Sequence, residues 1–276
     1  PPGGGGQADG HVDIFSGALT GSHEDVDAPL QFDGSPITQG QAGRAMASGD
    51  VNGDGKLDLL VGAYNYKQAA SFYPGAVFIE SFPLDDGVHN LKDAPTMIVG
   101  HGHHDWFGYA VANAGDLDGD GLDDLLVGAH GNDRGGDGAG AAYLIPADTT
   151  PWMSAYFDAT AVMIGETDGD SAGVALSSAG DANNDGYDDV WIGATGDDAG
   201  GANAGAAYLM YGPLEGHVGF DVYKRELDLK FADAKLTGTG DGANIGGVFA
   251  VMDLDLDGNM DVVLGAAGSS GNACLS

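Results

Sequence analysis

Four nine-residue segments of this chain carry Asp or Asn at positions 1, 3, 5 and 9 and Gly at position 6. They are Asp50-Val51-Asn52-Gly53-Asp54-Gly55-Lys56-Leu57-Asp58, Asp116 to Asp124, Asp181 to Asp189 and Asp253 to Asp261. Their acidic and amide side chains are Asp50, Asn52, Asp54 and Asp58; Asp116, Asp118, Asp120 and Asp124; Asp181, Asn183, Asp185 and Asp189; and Asp253, Asp255, Asp257 and Asp261. Oxygen donors on alternate residues of a tight turn suit a hard cation, which takes roughly six to eight oxygens at about 2.3–2.6 Å. The Gly at position 6 lets the chain turn back, so that the position 7 carbonyl and the position 9 carboxylate close the cage. Lys56, Leu122, Tyr187 and Asn259 would supply those carbonyls. The reading is four Ca²⁺ sites.

A cation-free alternative exists for any one copy, because Asp, Asn and Gly also build polar Asx turns with solvated acids. Recurrence of the same five positions in four copies favours the cation. The EF-hand or dockerin loop opens in the same way but needs a bidentate Glu at position 12. That position is Val61, Val127, Ile192 or Leu264 here, so a buried strand should follow each loop rather than a helix.

The elements that position these loops repeat with them. Directly after position 9 come Leu59 to Ala63, Leu125 to Ala129, Val190 to Ala194 and Val262 to Ala266, each a short apolar run ending in Gly-Ala. Such runs fit strands buried on both faces. A third element starts at Gly75, Gly140, Gly205 and Gly271, with a further copy at Gly10-His11-Val12-Asp13-Ile14; these glycines lie 65, 65, 65 and 66 residues apart. Upstream of each loop stand a short strand ending in Gly, a polar loop, a small or aromatic residue followed by Gly, and a half-alternating strand, as in Thr96 to Gly100 and Trp106-Phe107-Gly108 to Val111. Each period holds about four strands, the content of a β-propeller blade. A nonapeptide calcium β-roll has too short a period to compete. The best candidate for a helix, around Val222 to Leu229, is short.

The combination of Phe107-Gly108, the loop Asp116 to Asp124, Gly128-Ala129 and Gly140-Ala141-Ala142-Tyr143 resembles the FG-GAP repeat of integrin alpha-subunit propellers and their bacterial relatives. The resemblance covers nearly the whole chain. It implies an all-β propeller of four-stranded antiparallel blades, with about four repeats and each calcium loop joining the first two strands of its blade. It also implies that the loops lie on the face opposite the one that meets ligands. The Phe-Gly pair is intact only in the second repeat, and no Arg-Gly-Asp triplet is present. The expected organisation is one propeller domain or segment over 1–276, with repeats near 10–74, 75–139, 140–204 and 205–270, residues 271–276 opening the next, and a flexible Gly- and Pro-rich end over 1–9. Seven blades at this period would need about 450 residues. The four periods therefore read as a piece of a larger propeller or as a smaller ring closed by its equivalent terminal strands.

The chain has 276 residues, 43% of them hydrophobic, and no apolar run long enough to span a membrane. It opens without an initiator Met or a signal segment. The net charge is −33, and 14 of the 42 acidic residues stand at loop ligand positions. Four bound dications add eight positive charges to −33 and leave about −25. That excess disfavours nucleic acid and anionic membranes as partners. Cys274, the only cysteine, permits no internal disulfide and reads as a small buried residue. Calcium sites in place of disulfides suit an extracellular, secreted or cell-surface setting.

Other patterns carry less. His101-Gly102-His103-His104-Asp105 has imidazoles that suit a transition metal, but its counterpart Glu166 to Asp170 has none. The same loop precedes Trp106 and is also a place for ligand contact. Gly136 to Ala141 matches a dinucleotide fingerprint in letters but precedes a strand rather than a helix. The pairs Asp123-Asp124 and Asp188-Asp189 are poor acid/base candidates, because one member of each is already a calcium ligand. No nucleophile elbow, catalytic triad or zinc signature occurs. The expected function is a calcium-stabilised, non-catalytic scaffold for adhesion or for recognition of a protein or glycan. Its ligand contacts are expected in the loops Tyr64 to Pro74 and His130 to Gly138. The alternative is an accessory propeller of an extracellular hydrolase or phospholipase whose catalytic domain lies elsewhere.

Overall fold

A computed structural model describes residues 9–15, 17, 22–24, 28–35, 40–69, 72–147, 153–154, 159–221, 224–256, 258 and 260–268. Those residues are all-β, and the antiparallel four-stranded unit expected from the repeat is present. The chain begins with a hairpin of β1 (His11–Ile14) and β2 (Leu30–Asp33). It continues through β3 (Met46–Gly49), β4 (Asp58–Ala63), β5 (Ala76–Ser81), β6 (Gly87–Asn90) and β7 (Thr96–Val99). The next repeat holds β8 (Ala110–Gly115), β9 (Asp124–Ala129), β10 (Ala141–Ile145), β11 (Met153–Ser154) and β12 (Ala161–Ile164). A third holds β13 (Ala172–Gly180), β14 (Asp189–Ala194), β15 (Ala206–Met210), β16 (Glu226–Asp228) and β17 (Ala234–Thr237), before β18 (Ile245–Met252) and β19 (Asp261–Ala266).

Three full blades result: β3-β4-β5-β7, β8-β9-β10-β12 and β13-β14-β15-β17. The pair β18-β19 repeats the first half of a blade. The hairpin β1-β2 repeats the second half, since β1 stands at the repeat position of β5, β10 and β15. The first strands of successive blades, β3, β8, β13 and β18, contact one another in turn. The apolar runs after each acidic loop become β4, β9 and β14, and β9 and β14 are buried along their whole length. β19 has the same sequence type but is largely half-exposed. Gly271 to Leu275, its expected neighbour, lies outside the described residues, as do Cys274 and residues 1–8.

The core lies between blades. One cluster joins Val51, Leu60 and Val77 to Phe107, Leu125 and Tyr143, and the next joins Leu126, Leu144 and Met163 to Ile192 and Tyr208. The glycines of the repeat signature are what allow the blades this close. Gly75 has φ +80°, and a Cβ there would stand 2.1 Å from the Phe107 carbonyl oxygen. Gly108, at φ +87°, would place a Cβ 2.3 Å from the Ala76 carbonyl oxygen. Both conformations are open to glycine and strained for other residues.

Two features depart from the sequence reading. The segment Val222 to Leu229 is not a helix among its described residues: Glu226–Asp228 form β16, and a three-residue 3-10 turn begins at Leu229. Pairing in parallel with Val162 to Ile164 on the preceding blade overrides the weak local preference. The same arrangement recurs, unsignalled by any motif. β6 pairs with β2 and β11 with β7, so each connection between the third and fourth strands straps the outer strand of the blade before it.

Candidate metal centres

Each acidic loop joins the first strand of a blade to the second, as β3 to β4, β8 to β9, β13 to β14 and β18 to β19. All four therefore stand at one end of the strands. Within the loop the position 1 carboxylate folds the turn. Asp50 accepts from the N–H groups of Asp54 (3.0 Å) and Gly55 (2.8 Å), Asp116 from Gly119 (2.7 Å) and Gly121 (2.9 Å), and Asp181 from Asp185 (2.9 Å) and Gly186 (2.9 Å). Position 5 accepts from the N–H of position 7: Lys56 to Asp54 at 2.9 Å, Leu122 to Asp120 at 2.9 Å and Tyr187 to Asp185 at 3.0 Å. In the fourth loop Asp253 accepts from Gly258 at 3.0 Å; Asp257 and Asn259 lie outside the described residues. A carboxylate oxygen that accepts one N–H keeps a second lone pair. The turn and a cation are therefore compatible.

Among the described residues, two of the loops draw three carboxylates together. Oxygens of Asp116, Asp118 and Asp120 lie within 4.8 Å of one another, as do those of Asp253, Asp255 and Asp261. In the first and third loops position 3 is an amide, Asn52 or Asn183, whose oxygen accepts from Asp54 (2.9 Å) or Asp185 (2.9 Å). Three of the four position 9 acids are buried: Asp58 is 1% exposed, Asp124 and Asp189 are 0% exposed, and Asp261 is half-buried. Asp124 accepts from the N–H groups of Leu117 (3.1 Å) and Ala147 (3.3 Å), and Asp189 from Ala182 (2.8 Å) and Gly212 (2.9 Å). Asp58 accepts from Asn52 Nδ2 at 3.0 Å, but its Oδ2 is buried with no hydrogen-bond partner.

The electrostatics follow from burial among like charges. Burial first, and then the Asp118 charge, pushes Asp124 up to about 7. Asp58 is raised by burial and by Asp54 and Asp50, and Asp118 by burial and by Asp120, Asp116 and Glu215. Asp189 is raised by burial and Asp185. A group of carboxylates that resists ionisation, one with an orphaned buried oxygen, is a donor set that fits a hard dication.

Sequence reasoning missed the residues that join the loops. Asp123, at position 8 of the second loop, accepts from the N–H of Asp50 (3.2 Å) and from Asn113 Nδ2 (2.8 Å). Asp188, at position 8 of the third, accepts from the N–H of Asp116 at 2.8 Å. The second and third loops thus each cap the start of the loop before them. The available signal was an acid at position 8 in these two copies where the first and fourth carry Leu57 and Met260.

The remaining candidates fall at the other end of the strands. Asp105 turns inward, is buried, and accepts from Gly102 N–H (3.0 Å) and Asn132 Nδ2 (2.8 Å). His103 and His104 stay exposed with ring centroids 3.8 Å apart. Among the described residues this loop gathers no three metal-ligating atoms. Gly136 to Gly140 is a turn leading into β10, with no helix behind it.

The FG-GAP repeat model matches residues 42–79 and 107–145, each spanning a first strand, its acidic loop and the next two strands. The chain is an FG-GAP repeat protein, similar to integrin alpha subunits. It is 32% identical to human integrin alpha-IIb over 171 residues, 60% of this chain and 15% of that protein. It is 29% identical to Caenorhabditis briggsae integrin alpha pat-2 over 248 residues, 84% of the chain and 18% of that protein. Against Drosophila melanogaster integrin alpha-PS2 it is 29% identical over 179 residues, 62% of the chain and 11% of that protein. The FG-GAP chain thus spans only 11–18% of the length of these relatives. The Phe107-Gly108 pair of the signature lies at the seam between two blades, with Phe107 1% exposed.

Proposed function

We propose that this FG-GAP protein is a calcium-binding propeller scaffold for adhesion or for recognition of a protein or glycan, with no reaction of its own. Its Ca²⁺ ligands are the side chains at positions 1, 3, 5 and 9 of the four loops and the carbonyls at position 7. The observation that carries this reading is the burial of Asp58, Asp124 and Asp189, 0–1% exposed, beneath further acids. Bound Ca²⁺ would supply the positive charge that offsets this repulsion. The protein's own contribution is to hold the acids on tight turns and tie neighbouring loops through Asp123 and Asp188. Each loop is then a clip at one end of a blade, and the opposite end carries the variable connections.

The unit proposed is a propeller segment of repeats near 10–74, 75–139, 140–204 and 205–270. An extracellular or cell-surface setting is part of this proposal, because sites in the range of about 10⁻⁴–10⁻³ M typical of extracellular modules fill only at the calcium concentrations found outside the cell. Among the described residues no helix is long and apolar enough to cross a membrane. The test is a thermal melt in chelator and in millimolar Ca²⁺. At about ten times Kd each site adds roughly 1.4 kcal/mol, so four sites add about 6 kcal/mol. A melting temperature that is the same in both buffers overturns the calcium reading.

A further inference from the structure

Opposite the calcium loops, side chains from three connections form one continuous ribbon of rings. Tyr109 meets His130 at 4.0 Å between centroids, His130 stacks on Trp106 at 4.7 Å, Trp106 on His104 at 6.3 Å, and His104 on Tyr73 at 5.7 Å. Tyr64 joins it edge-on to Tyr109 at 5.3 Å. A cation caps each end: the Arg44 guanidinium lies 3.9 Å from the Tyr109 centroid, and the Lys67 ammonium lies 5.3 Å from that of Tyr73. Equivalent rim positions in the other repeats are Gln41, Ser171 and Asn244 where this one has Trp106. The ring ribbon is therefore particular to this repeat and not part of the blade plan.

The charges are out of keeping with the molecule. In a chain with 42 acids and 9 Lys and Arg, five of the cations, Lys56, Arg134, Lys224, Lys230 and Lys235, pair with carboxylates. Among the described residues Arg44 and Lys67 make no ion pair and rest on tyrosine rings instead. A guanidinium lying on a ring keeps its in-plane N–H donors for an outside acceptor. Four of the eight His residues, His101, His103, His104 and His130, stand in the same connections. His130 contributes a neutral ring, because burial and the Arg44 charge push it down to about 4.

We propose that this ribbon binds an acidic saccharide, a chain in which uronic acid residues alternate with neutral sugars, with sugar rings stacked along Tyr73, Trp106 and Tyr109 and carboxylates held by Arg44 and Lys67. The assignment rests on the recognition-scaffold reading and narrows it to one ligand chemistry. A pyranose presents an apolar C–H face and a polar rim, which matches a row of half-exposed rings bounded by unpaired cations. An acidic peptide would use the cations but leave the ring faces without an apolar partner.

The test is calorimetric titration of the full chain in about 1 mM Ca²⁺. The probes are a hyaluronan decasaccharide, the same decasaccharide with its carboxylates methyl-esterified, and poly-glutamate of equal charge. Saturable binding of the decasaccharide that weakens with salt is expected, with loss on esterification and little binding of poly-glutamate. Arg44→Gln and Lys67→Gln should each weaken binding about tenfold. Trp106→Ala should weaken it further, and the two cation variants keep the test valid if that one fails to fold. No saturable binding, equal binding of the ester or of poly-glutamate, or unchanged affinity in both cation variants overturns the assignment. A calcium-dependent melt in the same samples separates this failure from failure of the scaffold reading.

Discussion

Phe107→Ala places at one blade seam the residue that other seams already carry as Ala42 and Ala172. Phe107 is 1% exposed and meets the Tyr143 ring edge-on at 5.4 Å. It packs in one cluster with Leu60, Val77, Val111 and Leu125. Truncating a buried Phe costs about 3–5 kcal/mol, including the cavity that a rigid β seam cannot collapse to fill. Its backbone contacts, the bridge to Gly75 and the N–H to Pro74 O at 3.3 Å, are untouched. A domain of this size loses about 2–4 °C of melting temperature per kcal/mol, so a fall of roughly 6–20 °C is expected in calcium-containing buffer. The reverse change, Ala172→Phe, puts a ring into a site that is 0% exposed and should cost at least about 1–3 kcal/mol through overpacking. Both outcomes follow if each seam has its own complementary filling. A Phe107→Ala shift below about 2 °C, or a neutral Ala172→Phe, would refute the claim that each seam has its own complementary filling.

Three further outcomes are expected. Asp124→Asn should raise stability in chelator at pH 8 by on the order of 1–2 kcal/mol, because relief of a buried charge outweighs turning an amide NH₂ toward one of the two N–H groups, of Leu117 and Ala147, while the amide oxygen accepts from the other. The same variant should bind one Ca²⁺ fewer, and an unchanged stoichiometry refutes the ligand assignment. Glu80, 5% exposed, is pushed from 4.5 up to about 7, chiefly by burial. The folded state therefore holds a proton that the unfolded chain has released, and stability from this group falls as pH rises from about 4.5 to about 7. Glu80→Gln should stabilise by on the order of 1–3 kcal/mol at pH 8 and leave denaturant midpoints at pH 4 unchanged. Gly108→Ala drives a Cβ to 2.3 Å from the Ala76 carbonyl at φ +87° and should cost on the order of 3 kcal/mol in denaturant unfolding.

The acidic loops, the strands after them and the 65-residue period were legible without coordinates, because each depends on local chemistry: turn residues at fixed spacing, then an apolar run too short for a helix. Burial of the position 9 acids was not legible: Asp58, Asp124 and Asp189 open strands covered by neighbouring blades, whereas Asp261, at the same place in the pattern, is half-buried. The cross-links were not legible. Asp123 and Asp188 bond to amides 73 and 72 residues earlier in the chain, and nothing local marks their targets. The straps β6, β11 and β16 are short segments made into strands by an outer edge on the neighbouring blade, and the same pairing displaced the helix expected around Val222 to Leu229. β19 reads as the equal of β14, yet its burial is less, because burial belongs to the neighbours a strand acquires and not to its own residues. The ring ribbon likewise joins Arg44, Tyr73, Trp106 and His130 from separate connections. Sequence alone determined the blade and its acidic clip, which are short-range; tertiary structure decided how blades hold one another and which surface they present, because those contacts join residues a whole repeat apart.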